Sequence, residues 1–377
     1  MRILFMLFII LSFSSSVMAK EGIPDFSPVF SKIWNNIAKI SEEGGSLAIA
    51  PDRNEKNFLQ IILGSESQYG KILQEARDVL GKNEAIAIIE RIDTLRIENK
   101  NLEKKISNLK RERLAAPLES MNPFTKTKKS IDEEINSKIP KQIQFNKEQI
   151  EELKKEAIQE LSKGGVRLDP AQLEYFLVSA EGEELLQLMT MAGNMKLMQS
   201  AIENQMKTEK NNIELAKQYT GIHLVSLDAY VSAHNYAIKN LTEYQKKLEP
   251  IIKEANHTID MAKSLIMRAD AREQKGLEAN IKISMRLIAV ANAYDRLLQR
   301  RIENLAASKN KVTFKADLAR NAYTTMVNGG NLLSLIQKSS RDYDLVMNFS
   351  MPELKAIYEP VMMDAFTEIS EKLKKEK

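Results

Sequence analysis

Leu277-EANIKISMRLIAVANAYDRLLQRRIENLAASKNKVTFKADLARNAYTTMV-Asn328 runs for 52 residues without a glycine or proline, between Gly276 and Gly329-Gly330. A heptad laid on it puts Leu277, Ile281, Ile288, Ala291, Leu298, Ile302, Leu305, Val312, Ala316, Ala319, Tyr323 and Met326 on one seam. Only Ser284, Asp295 and Lys309 interrupt that seam. The period predicts an amphipathic helix. At 1.5 Å per residue it would be roughly 78 Å long. Such a helix is too long for one element of a compact globule, so the expected fold is all-α, an elongated helical bundle laid along this spine.

The composition agrees. The 377 residues hold only 14 Gly and 10 Pro, aromatics are 6%, and charged residues are 28%. That is the make-up of long helices. The net charge of +4 arises from 55 basic and 51 acidic residues, so charge alone gives no reason to expect nucleic acid or a membrane surface as partner. There is no cysteine, which excludes disulfides, thiolate metal sites and cysteine nucleophiles.

The chain opens Met1-Arg2, continues through the apolar run Ile3 to Ile10 and the serine-rich Ser12 to Ser16, and reaches Val17-Met18-Ala19. One cation, an apolar stretch shorter than the ~20 residues of a membrane span, and small residues at its end predict a signal peptide, 1–19. Cleavage is expected between Ala19 and Lys20. The expected address is periplasmic or secreted, in a bacterium. No second apolar run is long enough to cross a bilayer, so no transmembrane segment is expected after cleavage.

Residues 20–54, punctuated by Pro24, Pro28, Gly44, Gly45 and Pro51, read as an irregular N-terminal arm, with Trp34 anchoring it to the bundle. A helix over 55–82, interrupted near Gly64 or Gly70, joins the arm to a heptad stretch. There Ile88, Ile92, Leu95, Asn99, Leu102, Ile106 and Leu109 form a coiled-coil seam whose Asn suits a register-setting position. A parallel homodimer through this seam would oppose Arg91 with Arg96, Glu98 with Glu103 and Lys105 with Lys110, all like-charged. A better partner is the downstream helix of Ile139, Ile143, Ile150, Leu153, Ile158 and Leu161, opened by a capping box from Ser130 to Glu133 and open to a kink at Pro140. Residues 83–163 are therefore expected as a projecting antiparallel coiled-coil hairpin.

Residues 169–377 are the bundle body. Asp169-Pro170-Ala171-Gln172 starts a helix running toward Thr220-Gly221 with a weak point at Gly193. Leu224 to Glu249 comes next, ended by Pro250, then Ile251 to Lys275, then the long helix. Ser350-Met351-Pro352-Glu353 caps a final one.

Little in the sequence carries chemistry. His223 and His234 are about three turns apart and cannot chelate one ion together, and His257 stands alone. No phosphate loop, HExxH or GxSxG occurs. Met191, Met195 and Met198 are spaced i, i+4, i+7. Thioethers could take Cu(I), yet the same spacing is that of a core stripe, which is the preferred reading. No enzyme activity and no cofactor are expected.

From Leu227 onward, about the last 140 residues resemble the toxic-anion (tellurite) resistance family. The resemblance rests on Leu227-Asp228-Ala229-Tyr230-Val231-Ser232-Ala233, on Arg300-Arg301-Ile302-Glu303-Asn304-Leu305, and on Asn328-Gly329-Gly330-Asn331-Leu332-Leu333 leading to Ile336-Gln337-Lys338-Ser339-Ser340. It implies an all-helical protein and a role in toxic-anion or metal-stress resistance. Two departures are the export leader and Ala316 to Thr325, where the family has a Gln-rich helix. Gly22-Ile23-Pro24-Asp25-Phe26 is also similar to the start of exported minor pilus subunits of type IV secretion systems.

The residues themselves point to an exported, non-enzymatic structural or adaptor protein of the bacterial envelope. It would act through protein partners and could form a homo-oligomer. A secreted helical pore-former or secretion-system component is the further alternative.

Overall fold

The computed structural model describes residues 28–49, 68–119, 126–209, 212–327 and 360–374. The signal peptide with Ala19 and Lys20, the Gly22–Phe26 segment, the stretch from Asn328 to Ser340 and the Ser350 capping box lie outside them. The fold is all-α, a helical bundle with no strand among the described residues. In chain order the helices are α1 (Pro28–Ala48), α2 (Gln68–Leu80), α3 (Glu84–Ala115), α4 (Lys128–Glu133), α5 (Ile139–Lys163), α6 (Pro170–Val178), α7 (Gly182–Thr208), α8 (Ile213–Ile266), α9 (Ala271–Val327) and α10 (Pro360–Lys374). Two compact units result: Asn83–Leu177, and the remainder of the chain before and after it.

In the unit of Asn83–Leu177, α3 and α5 lie side by side and antiparallel. Arg113 pairs with Asp132 at 2.5 Å, Lys105 with Glu134 at 3.6 Å, and Asn146 with Asn99 at 3.0 Å. Leu109, Ile131, Ile135 and Ile139 are buried together, with Leu102, Ile106 and Ile143 packed on them. Asn99 faces a polar partner from α5: the Asn146 amide donates to its Oδ1, and Gln142 donates in turn to Asn146. The cap of α4 is Thr127, one turn before the expected Ser130. Ser130 is instead its reciprocal partner, so the box closes as Thr127 with Ser130 rather than Ser130 with Glu133. Before Pro140 the helix opens into a π turn, Glu134–Lys138. Proline lacks the N–H for the i−4 carbonyl and its ring crowds that carbonyl, and one wide turn relieves both.

The other unit is organised around α8 and α9, 54 and 57 residues long, packed along each other. α1, α2 and α7 lie on α8, and α10 lies mainly on α9. The spine seam is buried at Ser284, Ala291, Leu298, Leu305, Val312, Ala316, Ala319, Tyr323 and Met326. A second stripe, Val290, Tyr294, Leu297 and Arg301, is buried as well. The heptad missed it because α10 covers that flank, with the Phe366 ring 4.6 Å from Tyr294.

Several expected boundaries are corrected. The segment read as an irregular arm is helical from Pro28 to Ala48, through Gly44 and Gly45. Those glycines are there for approach: a Cβ on Gly45 would sit 2.6 Å from the Tyr323 hydroxyl, and one on Gly44 3.0 Å from both Ile72 and Val225. Trp34 packs edge-on against Tyr219 of α8, 5.8 Å between centroids. Gly193 lies within α7, and the helix expected from Asp169 to Gly221 is instead cut at 179–181 and again before Asn212, whose side chain caps α8.

α8 then passes through both Gly221 and Pro250 without stopping. An interior proline costs about 3 kcal/mol. Here Tyr244 and Leu248 before it and Ala255 and Ile259 after it are all buried, so packing on both sides outweighs that cost. α9 begins at Ala271, before Gly276, because Asp270 and Glu273 form its capping box. The Asp270 carboxylate accepts from the backbone of Arg272 and Glu273, and Glu273 accepts from the backbone of Asp270.

Candidate functional site

The apolar periodicity that builds the α8–α9 body also carries acidic residues inside it. Asp228 lies in the run Leu224 to Ala233 and has no exposed surface. It accepts from the Tyr69 hydroxyl of α2 at 2.5 Å and from the Arg320 guanidinium of α9 at 2.7 and 2.9 Å. Burial disfavours the Arg320 charge, but Asp228 outweighs that and holds the guanidinium pKa above its usual value. Glu181, equally buried, accepts from the Tyr294 hydroxyl at 2.5 Å, while Tyr294 accepts from the Ala180 backbone N–H at 2.7 Å. Glu184 accepts from Asn240 at 2.8 Å and Tyr244 at 3.1 Å.

These clusters join helices far apart in the chain. Each carboxylate meets donors supplied by the protein, so their chemistry is cohesion: a buried charge is tolerable only when paired and hydrogen-bonded. Sequence reasoning did not single out Asp228, Glu181, Glu184, Arg320 or Tyr294. The available signal was an acid isolated within an apolar run.

Of the residues that the sequence put forward, Met191, Met195 and Met198 are buried in α7 at 0%, 3% and 2% exposure, beside Met189. They fill core positions, as their spacing allows. Along the coiled-coil seam, Ile92, Asn99 and Leu109 are buried, and Ile88, Leu95, Leu102 and Ile106 half-buried. Among the described residues no three His, Asp or Glu side chains converge as a metal cluster. A groove of ≈ 680 Å³ opens between α1, α8 and α9, lined by Ser41, Glu42, Lys217, Gln218 and Tyr323 among others.

In the unit of Asn83–Leu177, Glu174 of α6 accepts both Arg96, at 2.8 Å to each oxygen, and Lys154, at 2.7 Å. Burial alone would raise this carboxylate; the two cations outweigh it and hold it below the ordinary range.

The surface carries the remaining signal. In the Asn83–Leu177 unit, Leu114 is 82% and Leu118 76% exposed, and Ile97 and Phe145 are also open to solvent. Leu118 lies in the connection between α3 and α4, where the Lys128 N–H donates to the Pro117 carbonyl. In the other unit Met261, Leu265, Met267, Ile283 and Met285 are exposed on the ends of α8 and α9 that adjoin their short connection. No helix among the described residues is long and apolar enough to cross a membrane.

Comparison with family models, with curated proteins and with solved structures finds no match to this chain.

Proposed function

We propose that the chain is an exported, non-enzymatic adaptor of the bacterial envelope whose helix ends bind other proteins. One observation carries the reading: large apolar side chains stand in solvent at the ends of antiparallel helix pairs, Leu114 and Leu118 on one and Met261, Leu265 and Met267 on the other. A side chain such as leucine gains about 1.5–3 kcal/mol on full burial, so a partner groove that covers several of them gains appreciable affinity. The interior acids Asp228, Glu181 and Glu184 are engaged in holding helices together. The mechanism is geometric: rigid helix pairs present apolar ends, and the partner supplies the groove.

The test compares wild type with the Leu114→Glu/Leu118→Glu variant, both expressed with the native leader and cross-linked in intact cells. A polypeptide bound to wild type and lost from the normally folded variant supports the adaptor reading. Identical cross-linked products from both refute the role of this end. N-terminal sequencing of the same material checks export, and an uncleaved 1–19 on a cytosolic protein would overturn it.

A further inference from the structure

We infer that the α8–α9 helix pair is an acid-responsive joint, in which the buried His234 lets the two helices stay packed only while its imidazole is neutral.

His234 has no exposed surface. Its Nδ1 lies 2.8 Å from the Tyr230 carbonyl, an acceptor only, so Nδ1 carries the proton. Nε2, 3.1 Å from the Ser308 hydroxyl of α9, is then the acceptor. The ring also stacks edge-on against Tyr230, 4.5 Å between centroids. Both nitrogens are thus used in the neutral form. A second proton on Nε2 would reverse the Ser308 bond and place a full charge on a ring with no exposed surface. His223 lies eleven residues earlier, about three turns, and so on the same face of α8.

Among the described residues, no anion counts among the groups acting on either imidazole. The charged group acting on His234 is Lys309, and the one acting on His223 is Lys315, both from α9 and both of the wrong sign. Several other charged side chains around α8 have partners of their own, among them Asp295 of α9, which accepts from Gln245. Asp228 holds Arg320 and Tyr69, Glu184 holds Asn240 and Tyr244, and Arg77 of α2 lies over the Tyr236 ring. Burial, with the lysine in each case, pushes both imidazoles down to about 4 from the ordinary 6.5.

Between pH 6.5 and 4 the unfolded or opened chain therefore binds protons that the packed pair refuses. Stability from these groups is complete above about 6.5 and is lost as pH falls toward 4. For His234 the opening equilibrium rises about 20-fold between pH 7 and pH 5. His223 is only half-buried, so a charge there stays partly solvated and the joint rests on His234.

The sole tryptophan reports on this joint, because Trp34 stacks on Tyr219, one turn before His223. Urea unfolding of the full chain is followed by Trp34 fluorescence at pH 7, 6 and 5, where ordinary carboxylates stay mostly ionised and their remaining titration is common to wild type and variant. Wild type should lose at least the 20-fold. The His223→Gln/His234→Gln variant should lose clearly less than the wild type over the same range. Equal pH dependence in the two proteins would overturn the inference.

Should the double variant not fold, the imidazole C2–H resonances of the wild type decide, assigned through His223→Gln and His257→Gln. A midpoint near 4 for His234 supports the joint. A midpoint near 6.5 for His234, the ordinary value, in the still-folded protein refutes it.

Discussion

Replacing Arg320 with methionine tests whether the buried trio of Asp228, Tyr69 and Arg320 holds α2, α8 and α9 together. Methionine keeps much of the apolar stem and removes the guanidinium. Asp228, with no exposed surface, would lose both guanidinium hydrogen bonds and keep that of the Tyr69 hydroxyl. Breaking a buried pair this way costs about 3–5 kcal/mol, mostly from the stranded charge. Arg320 also pairs with Asp317 at 2.6 Å, but the Asp317 side chain is 59% exposed, and such pairs contribute about 0–1 kcal/mol. Asp317→Ala should therefore be nearly silent. Tyr69→Phe removes one hydrogen bond to a charge and should cost about 1.5–3 kcal/mol. The Asp228→Leu/Arg320→Met pair removes both charges and should lie nearer wild type than Arg320→Met alone. Urea unfolding at pH 7.5, read by Trp34 fluorescence and circular dichroism, measures all four. A loss under about 1 kcal/mol for Arg320→Met, well short of the cost of a stranded buried charge, or a double variant worse than the single, would show that the trio does not carry this interface.

Gly45→Ala sets two effects against each other. Alanine gains about 1 kcal/mol of helix propensity, but its Cβ would lie 2.6 Å from the Tyr323 hydroxyl and 2.8 Å from Cζ, an overpacking worth about 1–3 kcal/mol. A lowered melting temperature is expected, and a raised one would mean that Tyr323 yields freely. Asn99→Leu should cost about 1–3 kcal/mol in thermal unfolding, because it leaves the buried Asn146 amide short of its acceptor. Asn99→Leu/Asn146→Leu should recover that loss, and a double variant less stable than the single would contradict the pairing.

The periods of the sequence carried the fold class but not the extent of each helix. Seam positions from Ala291 to Met326 could be read because each pairs with a long neighbour at constant spacing. Helix ends were misplaced where tertiary packing overrode local signals. Pro250 and Gly221 look like stops, yet α8 continues through both because buried residues flank them. Gly44 and Gly45 look like a loop, yet they let α1 approach α8 and α9. Conversely, the Asp270–Glu273 box was visible in sequence, and Gly276 drew the boundary to the wrong side of it.

The interior polar clusters were not legible for a different reason. A helical period reports which face of a helix is buried but not what lies opposite. The partners of Asp228 are 159 residues upstream, at Tyr69, and 92 downstream, at Arg320; that of Glu181 is 113 downstream, at Tyr294. Asn99 stood out in the sequence as a polar residue on an apolar seam, and its partner Asn146 lies on the tethered antiparallel neighbour, only 47 residues away. The same limit holds for His234. Its sequence neighbourhood is that of any helix-face histidine, and its chemistry is set by Ser308 and Lys309, which reach it only once α8 and α9 have packed.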